Sequence, residues 1–492
     1  MITSKTNLFF RSFLSLALGA MGMFAFPPYN IWPLGLLSYA SLFFIVQNWC
    51  ASKRQVIFLT FSWAMGLFVG GLWWIAQSLL VEGNQFKWAY PLAVLGLPAL
   101  LSSFPIVANL FYFKIKSKFQ CSGIGAILIF TIIFFTFEWL RGHIFSGFPW
   151  NLPAYIWSEQ LNILQTLSII GPYGLSFLTL LLAISIGGVA SQITRGERKK
   201  DCLGLLCTII MLFIGIMISG HVRLLSHNTL PSTNHTLIRI IQPNIAQKDK
   251  WNPDLYLKNL ETIQDLALSE ISLSDDEPYK NVMLILPETA LNDVMMSTIE
   301  AREILKNISR HYQAMDKELF ILTGALRSQF DQYGDRKYYN SALLYDQQGY
   351  ILNDYNKSHL VPFGEYMPLS NVFDIAPIVG FSGFSAGAGA KTISHNDLPS
   401  IGIAICYEII FPSKFIDKHD RPDIAVTITN DAWYGDTPGP YQHFMMARYR
   451  AIEENTPVVR VANTGVSGVF DEKGRIMKYL DLNERGVIDF LH

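Results

Sequence analysis

Three residues that could together carry out covalent acyl transfer each follow or end a short apolar run. Glu288 follows NVMLILP, Lys357 follows ILNDYN, and Cys406 ends SIGIAIC. A thiol is a nucleophile, a carboxylate can take its proton, and a lysine with backbone N–H groups can hold the oxyanion of a tetrahedral intermediate. These residue types predict a site in which Cys406 attacks, Glu288 is the base and Lys357 stabilises the developing charge.

Cys406 is the strongest of the three signals, because a lone glutamate or lysine at a strand end is usually a cap or a solvated charge. It is the only one of the five cysteines that lies after residue 207, so it has no disulfide partner in its own half of the chain. A free thiol in an oxidising compartment risks oxidation, and secreted domains tend to pair it or omit it. A retained thiol at a strand end therefore favours a nucleophile over inert packing.

The sequence around these residues contains no second type of reactive centre. His359 and His443 are the nearest histidines, and neither lies in an H-x-x-x-H or Cys–His ligand spacing. A phosphate-binding glycine motif is also absent from the sequence. We therefore predict no metal and no other cofactor.

The polar half of the chain alternates β-branched or aliphatic runs with helical patterns, which is typical of a layered α/β domain. The near-continuous apolar character of the runs indicates sheets buried on both faces. The predicted strands are 236–242, 281–287, 319–325, 341–346, 400–406, 424–429 and 457–463, and the predicted helices are about 253–271, 296–314 and 439–454. Strand ends can converge at one edge of a sheet, which would bring the three reactive residues together.

The first part of the chain has a different composition. Of the 492 residues, 50% are hydrophobic and 16% are charged, against about 25% charged in an average globular chain. Long apolar runs fill the first 220 residues, whereas no later run approaches the roughly 20 residues that span a bilayer. We predict a transmembrane domain at 1–222, a linker at 223–235 and a catalytic domain at 236–492. The net charge of -1 provides no basic field for nucleic acid.

Seven apolar segments could cross a membrane, and the charges beside them predict their orientation. The segments are about 8–26, 31–49, 55–80, 88–113, 121–140, 161–190 and 202–220. If the N-terminus is inside, the inner segments carry eleven Lys and Arg residues and the outer loops carry two, Lys87 and Arg141. Because basic residues concentrate on the cytoplasmic side, this bias predicts a cytoplasmic N-terminus. An odd number of crossings then places the polar half outside, which is the periplasm in a bacterium with two membranes.

Three features of the apolar half have both a packing and a functional interpretation. Glu138 and Arg141 lie one turn apart and could form an ion pair or part of a polar mouth. Gly66 and Gly70 have the spacing of close helix packing. The segment SGFPWNLPAYIW, at 146–157, is typical of an aromatic belt or a re-entrant loop at the outer interface.

The polar half resembles the nitrilase, or carbon–nitrogen hydrolase, superfamily. The most specific stretches are QPNIAQKDKW (242–251), LPETAL (286–291), YNKSHLVPFGEYMPL (355–369), ICYEIIFP (405–412), NDAWYG (430–435) and RVANTGVSGVFDEKG (460–474). That superfamily uses a Glu–Lys–Cys triad, in this chain order, on an α-β-β-α sandwich. A multi-span membrane domain before such a sandwich is similar to the branch that acylates lipoproteins, so the resemblance covers essentially the whole chain.

The resemblance implies roles for the three reactive residues and for a fourth. Glu288 is the general base, Lys357 stabilises the oxyanion and Cys406 is the nucleophile. Glu365 is similar to the additional active-site glutamate of the superfamily, which positions the lysine and the substrate.

The resemblance also singles out residues around the nucleophile. Tyr407 and Glu408 follow it as they do in the superfamily, and Trp251 matches an important tryptophan. Asn430 and Trp433 are expected to shape the pocket. Packing without contact to substrate is the open alternative for Tyr407, Glu408, Trp251 and Trp433.

The reaction implied by the resemblance has two steps. Cys406 attacks the sn-1 ester of a phospholipid, typically phosphatidylethanolamine, to give a thioester acyl-enzyme and a lysophospholipid. The N-terminal α-amine of the S-diacylglyceryl cysteine of an apolipoprotein then takes the acyl chain in a ping-pong sequence. The expected location is the bacterial inner membrane, among membrane lipids, and the expected state is a monomer. Transfer rather than hydrolysis requires that water be kept from the thioester.

Two other functions fit parts of the sequence. A membrane-tethered amidase or nitrilase would use the same residues to hydrolyse a small amide. A transporter or sensor with a degenerate second domain would not be expected to keep all three reactive residue types. The lipoprotein-acylating branch commonly has a further span after the catalytic domain, whereas here no apolar run precedes His492. Either this member dispenses with the last helix, which would leave the C-terminus outside, or the chain is cut short.

Overall fold

The protein is described from a computed structural model, which divides into two compact units. The described residues are 2–82, 84, 86–196, 200–226, 236–250, 252–273, 279–292, 298–330, 332–367 and 383–492. One unit contains Met1–Gln77 and Trp88–His227, and the other contains Ser78–Lys87 and Asn228–His492. Trp251 and most of the predicted linker lie outside the described residues.

The first unit is built from helices. They are α1 (Ile2–Met21), α2 (Trp32–Asn48), α3 (Lys53–Leu72), α4 (Tyr90–Leu101), α5 (Ser103–Phe119), α6 (Gly123–Arg141), α7 (Leu161–Leu164), α8 (Leu167–Arg195) and α9 (Lys200–Leu225). Helix α9 continues to Leu225, which is beyond residue 222, the predicted end of the membrane domain.

Within the described part of the chain, six helical segments are long and apolar enough to cross a membrane. They are Leu8–Ala25, Lys53–Leu80, Lys87–Phe119, Gly123–Arg141, Leu167–Arg195 and Lys200–Leu225. The second predicted segment forms α2, whose 17 residues lie at the lower limit of roughly 17–25 residues for a span. Helix α9 exposes apolar side chains such as Met211 and Ile218, a surface that suits lipid. The chain is therefore a membrane protein.

Glycines allow helices α1 and α3 to approach backbone to backbone. A Cβ atom on Gly66 would lie 2.1 Å from the carbonyl oxygen of Leu16, and one on Gly19 would lie 1.9 Å from the carbonyl oxygen of Trp63. No side chain larger than hydrogen fits at these positions, so the packing interpretation of Gly66 is confirmed.

Glu138 and Arg141 form a buried ion pair at the end of α6. Arg141 Nη2 lies 2.7 Å from Glu138 Oε2, and Arg141 Nη1 donates to the carbonyl oxygens of Phe148 and Trp150 at 2.6 and 2.9 Å. Because these carbonyls belong to the aromatic segment after α6, the arginine holds that segment in place. Of the two interpretations of Glu138 and Arg141, the ion pair is the correct one.

The second unit contains two β-sheets. The strands are β1 (Thr236–Gln242), β2 (Asn281–Ile285), β3 (Leu291–Asn292), β4 (Glu318–Phe330), β5 (Arg336–Tyr345), β6 (Ile351–Asn356), β7 (Thr392–His395), β8 (Leu398–Ile405), β9 (Ile424–Thr429), β10 (Val458–Ala462), β11 (Ser467–Phe470), β12 (Ile476–Leu480) and β13 (Gly486–Leu491). All seven predicted strands are confirmed. The six others were missed, because they are short, half polar or exposed on one face.

Each sheet has parallel strands at its centre and antiparallel strands at its edges. The first sheet has the order β13-β1-β2-β4-β5-β6, with β3 paired to β4, and the second has the order β12-β11-β10-β9-β8-β7. Strands β1, β2 and β4 are parallel, as are β8, β9 and β10. The central strands β1, β2, β9 and β10 are buried along their whole length, as their continuous apolar sequences predict.

The two sheets face each other across a common core, and helices cover their outer faces. Among the described residues of this unit, the helices are α10 (Gln247–Lys250), α11 (Tyr256–Ala267), α12 (Ile299–Ala314) and α13 (Pro438–Glu454). The core between the sheets contains Ile240 and Ile285 of the first sheet and Ile403 and Val426 of the second. Helices α11 and α12 pack on the outer face of the first sheet, and α13 packs against β10 and β11. The predicted α-β-β-α sandwich is confirmed.

Candidate active site

The three predicted reactive residues come from strand ends in both sheets. Glu288 lies just after β2 and Lys357 directly after β6 in the first sheet, and Cys406 lies directly after β8 in the second. All three are buried, with exposed fractions of 7%, 1% and 8%. The ammonium of Lys357 interacts electrostatically with Glu288, Glu365 and Cys406. The fold therefore brings together residues that are up to 118 positions apart in the sequence, from 288 to 406.

Lys357 is held between two carboxylates. Its Nζ lies 2.9 Å from Glu365 Oε1 and 3.8 Å from Glu288 Oε1. Burial by itself lowers the pKa of Lys357, but the two carboxylates outweigh burial and raise the pKa above its usual value. Lys357 is therefore an ammonium ion at neutral pH, which suits it to stabilise negative charge and not to act as a base.

Asn340, which the sequence did not single out, links the two carboxylates. Its Nδ2 donates to Glu288 Oε1 at 2.8 Å and to Glu365 Oε1 at 3.0 Å. Its backbone carbonyl accepts the amide of Lys357 at 2.8 Å. One residue in the middle of β5 thus orients both acids and the segment that carries the lysine.

A second buried lysine supports the segment that carries Glu288. Lys250 Nζ donates to the carbonyl oxygen of Glu288 at 2.8 Å and to Thr289 Oγ1 at 2.6 Å. Thr289 has a φ of 49°, a conformation that costs energy for a residue with a side chain. Burial lowers the pKa of Lys250 to about 8, although Glu288 and Cys406 act in the opposite direction. Lys250 lies in the QKDKW stretch, but its lysine carried no separate signal.

Cys406 occupies an unusual backbone conformation at the start of a tight turn. Its φ is 52°, and a 3-10 turn runs from Cys406 to Ile410. Non-glycine residues in this region cost of order 1–3 kcal/mol and persist only where their surroundings impose the conformation. Such strain is common at functional sites, where it presents a side chain to the reaction.

The charges around Cys406 favour its neutral thiol at rest. Burial raises the pKa of Cys406, and the carboxylates of Glu288 and Asp431 raise it further, whereas Lys357 and a hydrogen bond with the Thr429 side chain lower it. The net effect is a pKa above the ordinary value. Of the charged groups around this sulfur, the Glu288 carboxylate has the largest effect on its pKa.

Glu408 is a structural support between the two sheets. Its Oε1 accepts from the amide of His359 at 3.0 Å, from the amide and hydroxyl of Ser358 at 2.7 Å each, and from the hydroxyl of Tyr355 at 2.8 Å. Its Oε2 accepts the amide of Ile405 at 2.7 Å. Every one of these donors belongs to the protein, so the carboxylate joins the lysine segment to the cysteine turn.

Tyr407 packs among aromatic rings beside the nucleophile. Its ring centroid lies 5.8 Å from that of His359 and 5.2 Å from that of Phe411. Burial raises the pKa of Tyr407, and Lys357 acts against this. Tyr434 was not predicted, yet its hydroxyl interacts electrostatically with Cys406 and Glu288.

Of the remaining predicted residues, Asn430 supports a neighbouring segment and Trp433 is partly exposed. Asn430 is buried, donates to Gln247 Oε1 at 2.7 Å and accepts from Asn463 Nδ2 at 3.2 Å. It therefore anchors the segment around α10. Trp433 is half-buried in the short turn that follows Asn430, and Trp251 lies outside the described residues.

The fold and the site define a class of protein. Two facing sheets with helices on both outer faces are the fold of a carbon–nitrogen hydrolase domain. The family model for carbon–nitrogen hydrolases matches residues 237–490. An amidase structure from Nesterenkonia is similar with 18% sequence identity, covers 54% of this chain and 94% of its own, and has a TM-score of 0.34.

The N-terminal half and the full-length relatives identify the family within this class. The apolipoprotein N-acyltransferase N-terminal domain model matches residues 18–185. The apolipoprotein N-acyltransferase of Brucella melitensis biotype 1 is 34% identical over 487 residues, which cover 96% of this chain and 87% of that protein. That of Allorhizobium ampelinum is 34% identical over 490 residues, which cover 97% and 89%. The chain belongs to the apolipoprotein N-acyltransferase family, and it is an acyltransferase.

Proposed function

We propose that this enzyme moves a fatty acyl chain from a phospholipid to the N-terminal α-amine of a diacylglyceryl apolipoprotein through a thioester on Cys406. The observation that carries the proposal is the position of the Lys357 ammonium, 3.8 Å from Glu288 Oε1 and under the electrostatic influence of Cys406. A nucleophile, a base and a fixed positive charge are the components that acyl transfer through a covalent intermediate requires.

In the first step, Glu288 takes the thiol proton as the sulfur attacks the sn-1 ester carbonyl. The raised pKa of Cys406 means that proton removal accompanies attack. The ester oxygen that becomes negative is stabilised by Lys357, which the neighbouring acids keep charged. When the tetrahedral intermediate collapses, Glu288 returns the proton to the leaving lysophospholipid oxygen, and the acyl chain remains on the sulfur.

In the second step, the roles of the same groups repeat with an amine as the nucleophile. Glu288 takes a proton from the α-amine, Lys357 again stabilises the oxyanion, and the thiolate leaves and regains its proton. Glu365 contributes by holding the Lys357 ammonium at 2.9 Å. The donor that we propose is phosphatidylethanolamine, and the product is a triacylated lipoprotein.

The proposed location is the bacterial inner membrane, with a cytoplasmic N-terminus and the catalytic unit in the periplasm. The bias of eleven inner to two outer basic residues and an odd number of crossings support this orientation. It requires that α2, with 17 residues, crosses the membrane together with the six longer segments. The enzyme is proposed to act as a monomer.

The proposal is tested by trapping the acyl-enzyme on the full-length protein in detergent. Given radiolabelled phosphatidylethanolamine alone, wild type should accumulate label that hydroxylamine releases, and Cys406→Ala should not. Adding an S-diacylglyceryl peptide should discharge the label onto the peptide amine. Acylation of the peptide by Cys406→Ala would refute the thioester mechanism, and release of free fatty acid without acylated peptide would indicate a hydrolase.

A further inference from the structure

A buried polar cluster lies behind Cys406 and takes no part in the mechanism above. We name it the Asp431 network, and its members are Asp431, Thr429, His443 and Arg460. All four are enclosed, with an exposed fraction of 1% for Asp431 and 0% for the other three. Burying charged groups costs several kcal/mol per ion unless they are paired and hydrogen-bonded, so the positions of these partners are strongly constrained.

Asp431 is the centre of the network. Its Oδ2 accepts from Arg460 Nη2 at 2.6 Å, and its Oδ1 lies 2.8 Å from His443 Nδ1 and accepts from Thr429 Oγ1 at 3.1 Å. Burial alone raises the pKa of Asp431, but Arg460 and His443 outweigh burial and lower it to about 2. Asp431 is therefore a carboxylate that orients three side chains at once.

Two of those side chains reach Cys406 at different atoms. His443 Nε2 lies 3.2 Å from the carbonyl oxygen of Cys406. This oxygen and Asp431 Oδ1 can only accept, so both contacts of His443 are hydrogen bonds when both of its ring nitrogens carry a proton, whereas burial and Arg460 lower the pKa of His443. The Thr429 hydroxyl, which lies 3.1 Å from Asp431 Oδ1, lowers the pKa of Cys406 through a side-chain hydrogen bond. The backbone and the sulfur of one residue are thus both contacted by groups that Asp431 orients.

We propose that Asp431 is a positioning residue that controls Cys406 along two paths, through His443 to its carbonyl group and through Thr429 to its sulfur. The path through His443 maintains the φ of 52° that presents the thiol. Along the path through Thr429, the hydroxyl group donates a hydrogen bond to the thiolate that forms when Glu288 removes the thiol proton. This inference rests on the proposed role of Cys406 as the nucleophile.

The Thr429 hydroxyl can serve both protonation states of the sulfur because it has one proton and can also accept. While Cys406 is a thiol, the hydroxyl donates to Asp431 and accepts the S–H proton. Once Cys406 is a thiolate, the hydroxyl turns and donates to the sulfur. Asp431 then no longer accepts the hydrogen bond from Thr429, but its carboxylate still contacts Arg460 and His443.

Other charged groups also act on this sulfur and must stay unchanged in a test. Glu288 and Asp431 itself raise the pKa of Cys406 and Lys357 lowers it, and Lys250 and Tyr434 also interact with the sulfur. Thr429→Val removes only the hydroxyl, since valine has nearly the same shape, and Thr429→Ser restores the hydroxyl on a smaller side chain. Comparing Thr429→Val with Thr429→Ser separates the effect of losing the hydrogen bond from the effect of changed packing.

The first experiment measures the rate at which iodoacetamide alkylates Cys406 as a function of pH. The full-length protein in detergent is used, and the adduct is mapped to the peptide that contains Cys406, because four other cysteines are present. Thr429→Val should alkylate about tenfold more slowly at pH 7, with its profile shifted to higher pH, because a hydrogen bond to a charged group is lost. Thr429→Ser should stay within about threefold of wild type. Coincident profiles for Thr429→Val and wild type, or equal defects in both variants, would overturn the path through Thr429.

The second experiment tests the path through His443 with two amides of different length. The amide nitrogen of Gln can approach the position of His443 Nε2 and still donate to Cys406, whereas that of Asn reaches only the position of Nδ1. We expect His443→Gln to keep kcat for acyl-enzyme formation within about tenfold of wild type and His443→Asn to lose about a hundredfold, with similar KM values for phosphatidylethanolamine. A larger loss in His443→Gln than in His443→Asn would overturn this path.

The controls separate this inference from the proposed function. If wild type formed no hydroxylamine-sensitive adduct, the proposed function would fail, whatever the alkylation profiles show. If wild type forms the adduct and the Thr429 and His443 variants behave as wild type, only the Asp431 network loses its proposed role.

Discussion

The carboxylate of Glu408 accepts both the backbone amide and the hydroxyl of Ser358, each at 2.7 Å. Ser358 directly follows Lys357, and Glu408 lies in the turn that begins at Cys406. A single buried acid therefore sets the separation between the proposed oxyanion-stabilising cation and the proposed nucleophile. Glu408 is a support for both strand ends, and its known contacts are to protein donors.

The first prediction concerns Glu408→Gln. Oε1 and Oε2 of Glu408 both accept backbone amides, so either orientation of a glutamine amide points an N–H group at another N–H group. We expect the free energy of unfolding to fall by about 1–3 kcal/mol, as for other unsatisfied buried groups. Acyl-enzyme formation should slow by about a hundredfold, because Lys357 and Cys406 move apart.

The matched control for this prediction is Glu261→Gln, which makes the same chemical change on the exposed side of α11. Both variants are compared by thermal unfolding and by acyl-enzyme formation from phosphatidylethanolamine. If Glu408→Gln behaved as Glu261→Gln does, the support that we assign to Glu408 would be wrong.

The second prediction concerns Asn340→Asp. The substitution replaces the donor that Glu288 and Glu365 share with a third carboxylate, and like charges at this distance raise one another's pKa. Glu288 then spends part of its time protonated and unable to act as a base. We expect acyl-enzyme formation at pH 7 to fall by about a hundredfold.

The pH dependence of Asn340→Asp distinguishes charge repulsion from simple misfolding. As the pH falls, the coupled carboxyl groups take up more protons and Glu288 is protonated more often than in wild type, so the relative defect of Asn340→Asp should grow toward pH 5. Asn307→Asp, an exposed change on α12, serves as the control. A defect of constant size between pH 5 and pH 8 would contradict this explanation.

The third prediction concerns acid stability and Asp431. Its folded-state pKa is lowered from 3.8 to about 2, so its pairing stabilises the fold fully above the unfolded value and loses this effect as the pH falls through about 2. At 1.36 kcal/mol per pKa unit, the contribution is about 2 kcal/mol. Asp431→Asn has no such titration, so its stability deficit relative to wild type should narrow between about pH 4 and pH 2.

The stability deficit of Asp431→Asn is measured by urea unfolding of the full-length protein in detergent, with tryptophan fluorescence as the signal. Asp265→Asn, at an exposed position of α11, controls for the general effect of removing a carboxylate. A deficit for Asp431→Asn that stayed constant or widened over this pH range would show that Asp431 does not contribute in this way.

The fourth prediction concerns the buried ion pair of the membrane unit. Arg141→Met leaves the Glu138 carboxylate buried without its cation, which typically costs about 3–5 kcal/mol. Removing both charges in Glu138→Gln/Arg141→Met should cost less than the sum of the single changes. Thermal unfolding of the four proteins in one detergent measures this coupling, and strictly additive losses would contradict it.

The sequence determined the elements and the chemistry of this protein. Apolar runs of strand length predicted β1, β2, β4, β5, β8, β9 and β10, since a strand buried on both faces needs an apolar residue at nearly every position. Composition separated the membrane half from the polar half. The unpaired thiol of Cys406, with Glu288 and Lys357 at other strand ends, indicated the reaction class, because few side chains can act as nucleophile, base and fixed cation.

Only the tertiary structure decided which residues support those three. Asn340, Lys250, His443 and Asp431 carry no local signal, and Glu408 could equally have faced a substrate. Their partners lie far away in the chain: Glu408 and Ser358 are 50 positions apart, and Asn340 and Glu288 are 52 apart. A buried polar group binds whatever donor or acceptor the packing of two sheets brings within about 3 Å, and local periodicity contains no information about that choice.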